Sequence, residues 1–184
     1  VAAMRESLGL NQPSAQRFLE WITGALHGDL GISYTQGVPI TGLIAERLVV
    51  SLPLAAWAMF LSIIIGLPVG IMAARRHGKI LDTFLMSLAQ IGLAVPSFWF
   101  GMLLVLVFAV GLNWLPTGGF VHWGDDPIAA ARTLILPGLA LALPQAAILA
   151  RVMRTSLLDV QRADFIRTAR ATGLTTGQAV LRHG

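Results

Sequence analysis

The chain has 184 residues, of which 55% are hydrophobic and only 12% are charged. Typical globular domains carry about 25% charged residues, so the composition disfavours an ordinary soluble domain. Intrinsic disorder is excluded because it requires low hydrophobicity. The absence of cysteine excludes disulfides, thiolate metal sites and cysteine nucleophiles. The 13 Lys and Arg residues, against 9 Asp and Glu, are too few to form a nucleic-acid surface.

The N-terminal segment, residues 1–47, is predicted to contain short helices. Apolar side chains recur at three- and four-residue spacing after Pro13-Ser14, which predicts an amphipathic helix that ends near Gly28. A second short helix is predicted from Pro39 to Arg47. The segment lacks the apolar core of a signal peptide, and we interpret it as an extracytoplasmic cap over a helix bundle.

Three long uncharged stretches decide the fold class. They are residues 48–74, 83–124 and 133–150. About 20 apolar residues are needed to cross a bilayer. The predicted membrane spans are therefore about 48–74, 83–110 and 132–152. The sequence predicts an all-α, polytopic membrane helix bundle, and buried helices of a large soluble core are the weaker alternative.

The distribution of cations predicts the orientation, because Lys and Arg concentrate on the cytoplasmic side of a membrane. Nine of the 13 cations lie in the loop 75–82 or beyond residue 150, and four lie before the first span or at Arg132. We therefore expect the loop 75–82 and the C-terminal segment 155–184 to be cytoplasmic. The N-terminal segment and the loop 111–131 are expected outside, with the membrane domain between them at 48–154.

Small residues and prolines mark the predicted spans. Gly66 and Gly70 have the four-residue spacing that lets another helix approach closely. Prolines lie inside all three spans, and each removes a backbone donor and can kink a helix. Kinked, glycine-rich helices suit a transport pathway, but they also occur in helices without that role. The pattern leaves both interpretations open.

The C-terminal segment predicts a short helix, a glycine turn and a second helix. Ala163, Ile166, Ala169 and Arg170 share one helix face by their spacing. Gly173 is a natural C-terminal cap. A basic amphipathic helix lying on anionic lipid is one interpretation of this pattern.

Five stretches of the sequence resemble one family of transport proteins. They are His27-Gly28-Asp29-Leu30-Gly31-Ile32-Ser33, Ile44-Ala45-Glu46-Arg47-Leu48, Pro96-Ser97-Phe98-Trp99-Phe100-Gly101, Trp114-Leu115-Pro116 and the tail from Asp164 to Leu174. They resemble the permease subunits of ATP-binding-cassette (ABC) importers of the dipeptide, oligopeptide and nickel type. The resemblance covers essentially the whole chain. It implies the type I ABC importer transmembrane fold, with this sequence as the middle three-fifths of a six-span subunit.

The tail resembles the motif by which such permeases contact their ATPases: Glu-Ala-Ala, three residues, Gly, and a distal Ile-x-Leu-Pro. Arg167, Thr168 and Ala169 stand at its first three positions and Gly173 at its glycine. Only Ala169 and Gly173 match the general form, and the distal part would fall at or beyond Gly184. The residues that the resemblance implies for ATPase coupling are Ala163, Asp164, Ile166, Arg167, Thr168, Ala169, Arg170 and Gly173.

The resemblance implies a permease subunit without catalytic residues, in the bacterial cytoplasmic (inner) membrane. Its implied partners are two ATPase subunits, a second homologous permease subunit and an extracytoplasmic solute-binding protein. No phosphate-binding G-x-x-x-x-G-K-[ST] loop is present. We therefore expect no directly bound cofactor and no metal, with ATP and Mg²⁺ used by the partners. The resemblance implies that the solute is a peptide, nickel or a related small molecule.

Three other classes compete with this interpretation. A secondary transporter would place ionisable residues near mid-membrane, and the predicted spans have none in their middles. An intramembrane enzyme would need a paired acid, a metal site or a Ser–His pair, and all four histidines lie outside the spans. A membrane scaffold or non-ABC transporter with a basic lipid-binding tail stays open.

Overall fold

The computed structural model describes residues 12–162, and the regular elements in that range are helices. They are α1 (Ser14–Leu26), α2 (Ile40–Arg75), α3 (Ile80–Ala94), α4 (Ser97–Leu104), a π-helical continuation of α4 (Val105–Gly111) and α5 (Pro127–Arg162). The chain divides into two compact units after Leu52. All the predicted ATPase-coupling residues, from Ala163 onward, lie outside the described range.

The first unit contains α1 and the tight loop that follows it. α1 occupies the region where apolar spacing predicts an amphipathic helix, and its exposed Phe18 and Trp21 rings stack with centroids 6.4 Å apart. The Asp29 carboxylate accepts a hydrogen bond from the backbone N–H of Gly31 (2.9 Å), whose φ of +83° favours glycine. This turn follows the end of α1 and leads the chain towards α2.

The second predicted short helix is not a separate element. α2 begins at Ile40 and continues without a break to Arg75. Because Gly42 is the only glycine or proline between Ile40 and Leu52, the sequence contains no strong signal to end the helix there. Residues 40–47 are therefore the first turns of the helix that contains the first predicted span.

Among residues 12–162, two helices are long and apolar enough to cross a membrane: α2 and residues Pro127–Gln161 of α5. Each has about 36 residues, or about 54 Å at 1.5 Å per residue. The third predicted span is therefore the middle of a longer helix. A further span is present if α3 and the helix Ser97–Gly111 are taken together.

The second predicted span, 83–110, differs from a single helix because it bends by 99°. Val95 has an extended conformation (φ −83°, ψ 124°), and Pro96, also extended (φ −60°, ψ 133°), is the residue before α4. The residue before a proline is sterically disfavoured in the helical region, and proline itself has no N–H to continue the ladder. Pro96 is the local cause of the break between α3 and α4.

The start of α5 is fixed by Asp126. Its Oδ1 accepts hydrogen bonds from the backbone N–H groups of Ile128 (2.9 Å) and Ala129 (3.0 Å). Pro127 occupies the first helical position, where its missing N–H costs nothing. α5 therefore begins five residues before the predicted span at 132.

Within the second unit, α5 packs against both halves of the bent helix and against α2. Gly66 and Gly70 meet Ala146 and Ala150 in the same chain order, so this part of α2 runs parallel to α5. α3 and α4 meet α5 in reverse order, for example with Gly101 close to Ala140. The chain therefore reverses its direction along α5 between α2 and the bent helix, and again between the bent helix and α5 itself.

Candidate coupling site and helix-packing seam

Gly66 and Gly70 lie at the closest approach between α2 and α5. A Cβ added to Gly66 would lie 2.8 Å from the carbonyl oxygen of Ala146. A Cβ added to Gly70 would lie 2.5 Å from the carbonyl oxygen of Ala150 and 2.8 Å from Cβ of Met153. Both glycines are buried. Their lack of a side chain is what allows the two backbones to pack at this distance.

A third contact extends this packing along the same pair of helices. Gly138 of α5 is buried and lies directly under the indole ring of Trp57, where any side chain would collide with the ring. Buried alanines continue the same face of α5 at Ala142, Ala146 and Ala150. We call the contacts of Gly66, Gly70 and Gly138 the glycine seam.

An ion pair joins α3 to α5 beyond the end of the glycine seam. Nε of Arg154 donates to Oδ1 of Asp82 (2.6 Å), and Nη2 of Arg154 donates to Oδ2 (2.7 Å). Asp82 is 4% exposed, and the Arg154 side chain is 21% exposed. A bidentate arrangement of this kind is stronger and more directional than a single charged contact.

The same carboxylate also holds the loop between α2 and α3. Its Oδ2 accepts a hydrogen bond from the backbone N–H of Gly78 (3.0 Å), and Gly78 has a φ of +74° that favours glycine. Nδ1 of His77 lies 3.2 Å from Oδ2 of Asp82 and 3.0 Å from Nη2 of Arg154. We call these four residues, His77, Gly78, Asp82 and Arg154, the Asp82 cluster.

The two contacts of His77 exclude each other in any one protonation state. Arginine only donates, so the contact with Arg154 requires a free lone pair on Nδ1 of His77. The contact with the Asp82 carboxylate requires a proton on the same atom. Arg154 and Gly78 therefore donate to Asp82 whichever form His77 takes.

A second polar contact joins the same two helices, about one turn away along α5 and about two turns away along α3. Nη2 of Arg151 donates to Oε1 of Gln90 at 2.6 Å. Arg151 is exposed, unlike the buried carboxylate of the Asp82 cluster. At the opposite end of α5, Nη2 of Arg132 donates to the backbone carbonyl of Trp114 at 2.7 Å. Arginines thus attach α5 to its neighbours at both ends.

An apolar cavity of about 320 Å³ lies between α2, the bent pair of α3 and α4, and α5. Its lining is aliphatic, aromatic, glycine and proline, and includes Val69, Leu85, Gly92, Phe100 and Pro144. Across the described range, no group of three or more His, Asp or Glu side chains is placed to hold a metal ion.

Sequence reasoning missed the Asp82 cluster. Asp82 and Arg154 are 72 residues apart, and spacing rules for helices relate only near neighbours. One signal was present: Asp82 is the only acidic residue between Glu46 and Asp125. A single acid at the edge of a long apolar stretch is costly to bury without a partner, which favours a search for a distant cation.

Comparison with known proteins assigns the chain to a family. Residues 66–183 match the family described as binding-protein-dependent transport system inner membrane component. The chain belongs to this family, and the predicted resemblance to ABC importer permeases is confirmed. The all-α membrane helix bundle is confirmed as well, since the described helices include two, or three with the bent pair, that suit a membrane.

Several curated proteins are similar to almost the entire chain. A putative peptide transport system permease protein of Brucella abortus is 40% identical over 183 residues. A probable peptide ABC transporter permease protein of Sinorhizobium fredii is 36% identical, and the dipeptide transport system permease protein DppB of Escherichia coli is 35% identical. These alignments cover 99 to 100% of the chain and 58 to 60% of each relative. The chain thus spans about three-fifths of their length.

Proposed function

We propose that the full-length protein is the membrane-spanning permease subunit of an ATP-driven ABC importer of peptides. The observation that carries this proposal is the family match over residues 66–183, together with relatives named as peptide and dipeptide permeases. The alternating directions of α2, the bent helix and α5 support it, because a translocation pathway is built between membrane-crossing helices. The permease itself performs no chemistry and binds no cofactor.

The proposed assembly contains a second homologous permease, two ATPase subunits that use ATP and Mg²⁺, and an extracytoplasmic solute-binding protein. Its location is the bacterial cytoplasmic membrane, with several passes. The cation distribution supports an orientation in which the loop 75–82 and the tail are cytoplasmic. In that orientation, the Asp82 cluster lies on the same side as the ATPases.

The tail is proposed to contact the ATPase through the face that contains Ile166 and Ala169. Small side chains permit close contact there, and the arginines at 162, 167 and 170 supply charge to pair with acids around a cleft. Gly173 ends the contacting helix in this proposal. The sequence match to the coupling motif at Ala169 and Gly173 supports it.

The direct test is uptake by the full-length subunit, reconstituted in vesicles with its ATPases, companion permease and binding protein. We expect ATP-dependent accumulation of a labelled dipeptide that requires the binding protein. Accumulation of nickel in place of the dipeptide would keep the ABC class and change the solute. Vesicles that take up neither solute with ATP would contradict the proposal.

The coupling face is tested with Ala169→Glu and Gly173→Asp in the same assembly. We expect both variants to insert normally and to lose ATPase binding, or to hydrolyse ATP without uptake. If the tail instead lies on lipid, neutralising Arg162, Arg167 and Arg170 weakens membrane binding by about 1 kcal/mol each. Ala169→Glu would then be harmless, and normal uptake by that variant would refute the docking assignment.

A further inference from the structure

The Asp82 cluster connects three helices through one buried carboxylate. Arg154 brings α5 to it, Gly78 and His77 bring the loop that ends α2, and Asp82 itself belongs to the first turn of α3. The other contacts between these helices are made largely by small apolar groups. The cluster is therefore the point at which directional bonds fix these three helix ends relative to one another.

Arg154 lies close to the proposed ATPase-contacting segment. α5 is continuous from Arg154 to Arg162, a distance of about 12 Å along the helix axis, and Ala163 is the next residue in the sequence. A helix transmits displacement along its axis as a rigid element. Movement of the helix end at Arg162 is therefore transmitted along α5 to the arginine that binds Asp82.

We propose that Asp82 and Arg154 are positioning residues of transport, which hold the end of α5 to the α2–α3 loop so that displacement of the tail moves all three helices together. This inference rests on the proposed function. Without the ion pair, the remaining contacts between α5 and α3 in the described range would be the exposed Arg151–Gln90 hydrogen bond and apolar packing, so the end of α5 could shift relative to α3. ATP hydrolysis would then continue with little movement of the pathway.

The bidentate geometry provides a conservative variant that tests this role. Arg154→Lys keeps the positive charge but replaces two fixed bonds with a single mobile one. Asp82→Asn keeps the size and removes the charge. Arg76→Gln is the matched control: it removes a cation from the same loop, and Arg76 is exposed. ATPase-subunit binding is measured for each variant so that loss of assembly is recognised.

In reconstituted full-length complexes, we expect Arg154→Lys and Asp82→Asn to lower the uptake of dipeptide per ATP hydrolysed by about tenfold. ATPase binding and ATP hydrolysis should persist, and Arg76→Gln should match the parent. A merely structural ion pair would reduce the amount of folded complex and leave uptake per ATP unchanged. That result would overturn the inference.

A distance measurement provides a second test of the inference that does not depend on uptake. Spin labels are placed at Arg76→Cys and Asp159→Cys in a cysteine-free full-length subunit within the complex. In the parent, nucleotide should change their separation by less than about 2 Å, the size of ordinary interface shifts, and in Asp82→Asn by more. A large nucleotide-driven change in the parent would refute a rigid connection. A parent complex without ATP-dependent uptake would instead overturn the proposed function, and this inference with it.

Discussion

The two ends of α5 are both attached to neighbouring segments by an arginine, but the attachments differ in strength. Near its start, Arg132 makes one hydrogen bond to the carbonyl of Trp114 in an exposed setting. Near its end, Arg154 makes two short bonds to a buried carboxylate that also binds the preceding loop. The first contact connects an arginine to one backbone group, whereas the second connects three helices.

We expect the attachment at Arg154 to hold this unit more firmly than the attachment at Arg132. An exposed neutral carbonyl that loses its hydrogen bond to a protein group accepts one from water instead, so the net cost is small. A desolvated ion pair is different, because removing one partner leaves a buried charge without compensation. The glycine seam lies between these two ends and acts through shape alone. Substitutions at the three places should therefore have effects of clearly different size.

The largest effect is expected at the Asp82 cluster. Asp82→Ala should lower the free energy of unfolding of the full-length subunit by about 3 kcal/mol, because Arg154 and the Gly78 N–H lose their shared acceptor. Thermal unfolding in detergent measures the change. A double-mutant cycle with Arg154→Ala should show strong coupling between the two sites. Additive effects would mean that the ion pair contributes no interaction energy of its own.

The next effect is expected in the glycine seam. Gly70→Ala places a Cβ 2.5 Å from a backbone oxygen that cannot move independently, and we expect a loss of about 2 kcal/mol. Gly42→Ala is the matched control in the same helix, since nothing lies within 4 Å of its added Cβ. The control should be neutral or slightly stabilising because alanine favours helix. Equal behaviour of the two variants would contradict the close packing.

A smaller effect is expected at the start of α5. Asp126→Ala removes the acceptor of two backbone N–H groups and should cost about 1 kcal/mol. The neighbouring Asp125→Ala removes the same charge without removing that cap, and it serves as the control. The difference between the two variants in thermal unfolding measures the contribution of the cap. Equal losses would show that the charge, and not the cap, stabilises this end.

The smallest effect is expected at Arg132. Arg132→Gln breaks a single hydrogen bond to an exposed carbonyl and should change the free energy of unfolding by about 0.5 kcal/mol. In the same thermal assay, the loss of stability in Asp82→Ala is therefore predicted to be several-fold larger than in Arg132→Gln. If Arg132→Gln destabilises the protein as much as Asp82→Ala, the two ends of α5 are held equally firmly.

Local chemistry determined much of the fold directly from the sequence. Long uncharged stretches predict membrane helices because a charge inside a bilayer is costly, and α2 and α5 contain two of these stretches. Gly66 and Gly70 indicate a packing face because their four-residue spacing aligns them on one side of a helix. The break at Pro96 follows from steric constraints between adjacent residues, although a proline alone does not reveal a bend of 99°.

The packing of the helices sets which groups that are far apart in the sequence come into contact. The same kind of residue has opposite effects in different places: Pro53 and Pro68 lie inside a continuous helix, whereas Pro96 ends one. In the count of cations along the sequence, Arg154 is only one more positive charge near the membrane. Its bond to Asp82 depends on how α3 and α5 pack, and helix periodicity holds no information about a partner 72 residues away. The helices, and the small residues that let them approach, could be predicted from the sequence because they depend on residues close together in the chain. The position of the buried carboxylate where three helices meet could not, because it depends on how those helices pack.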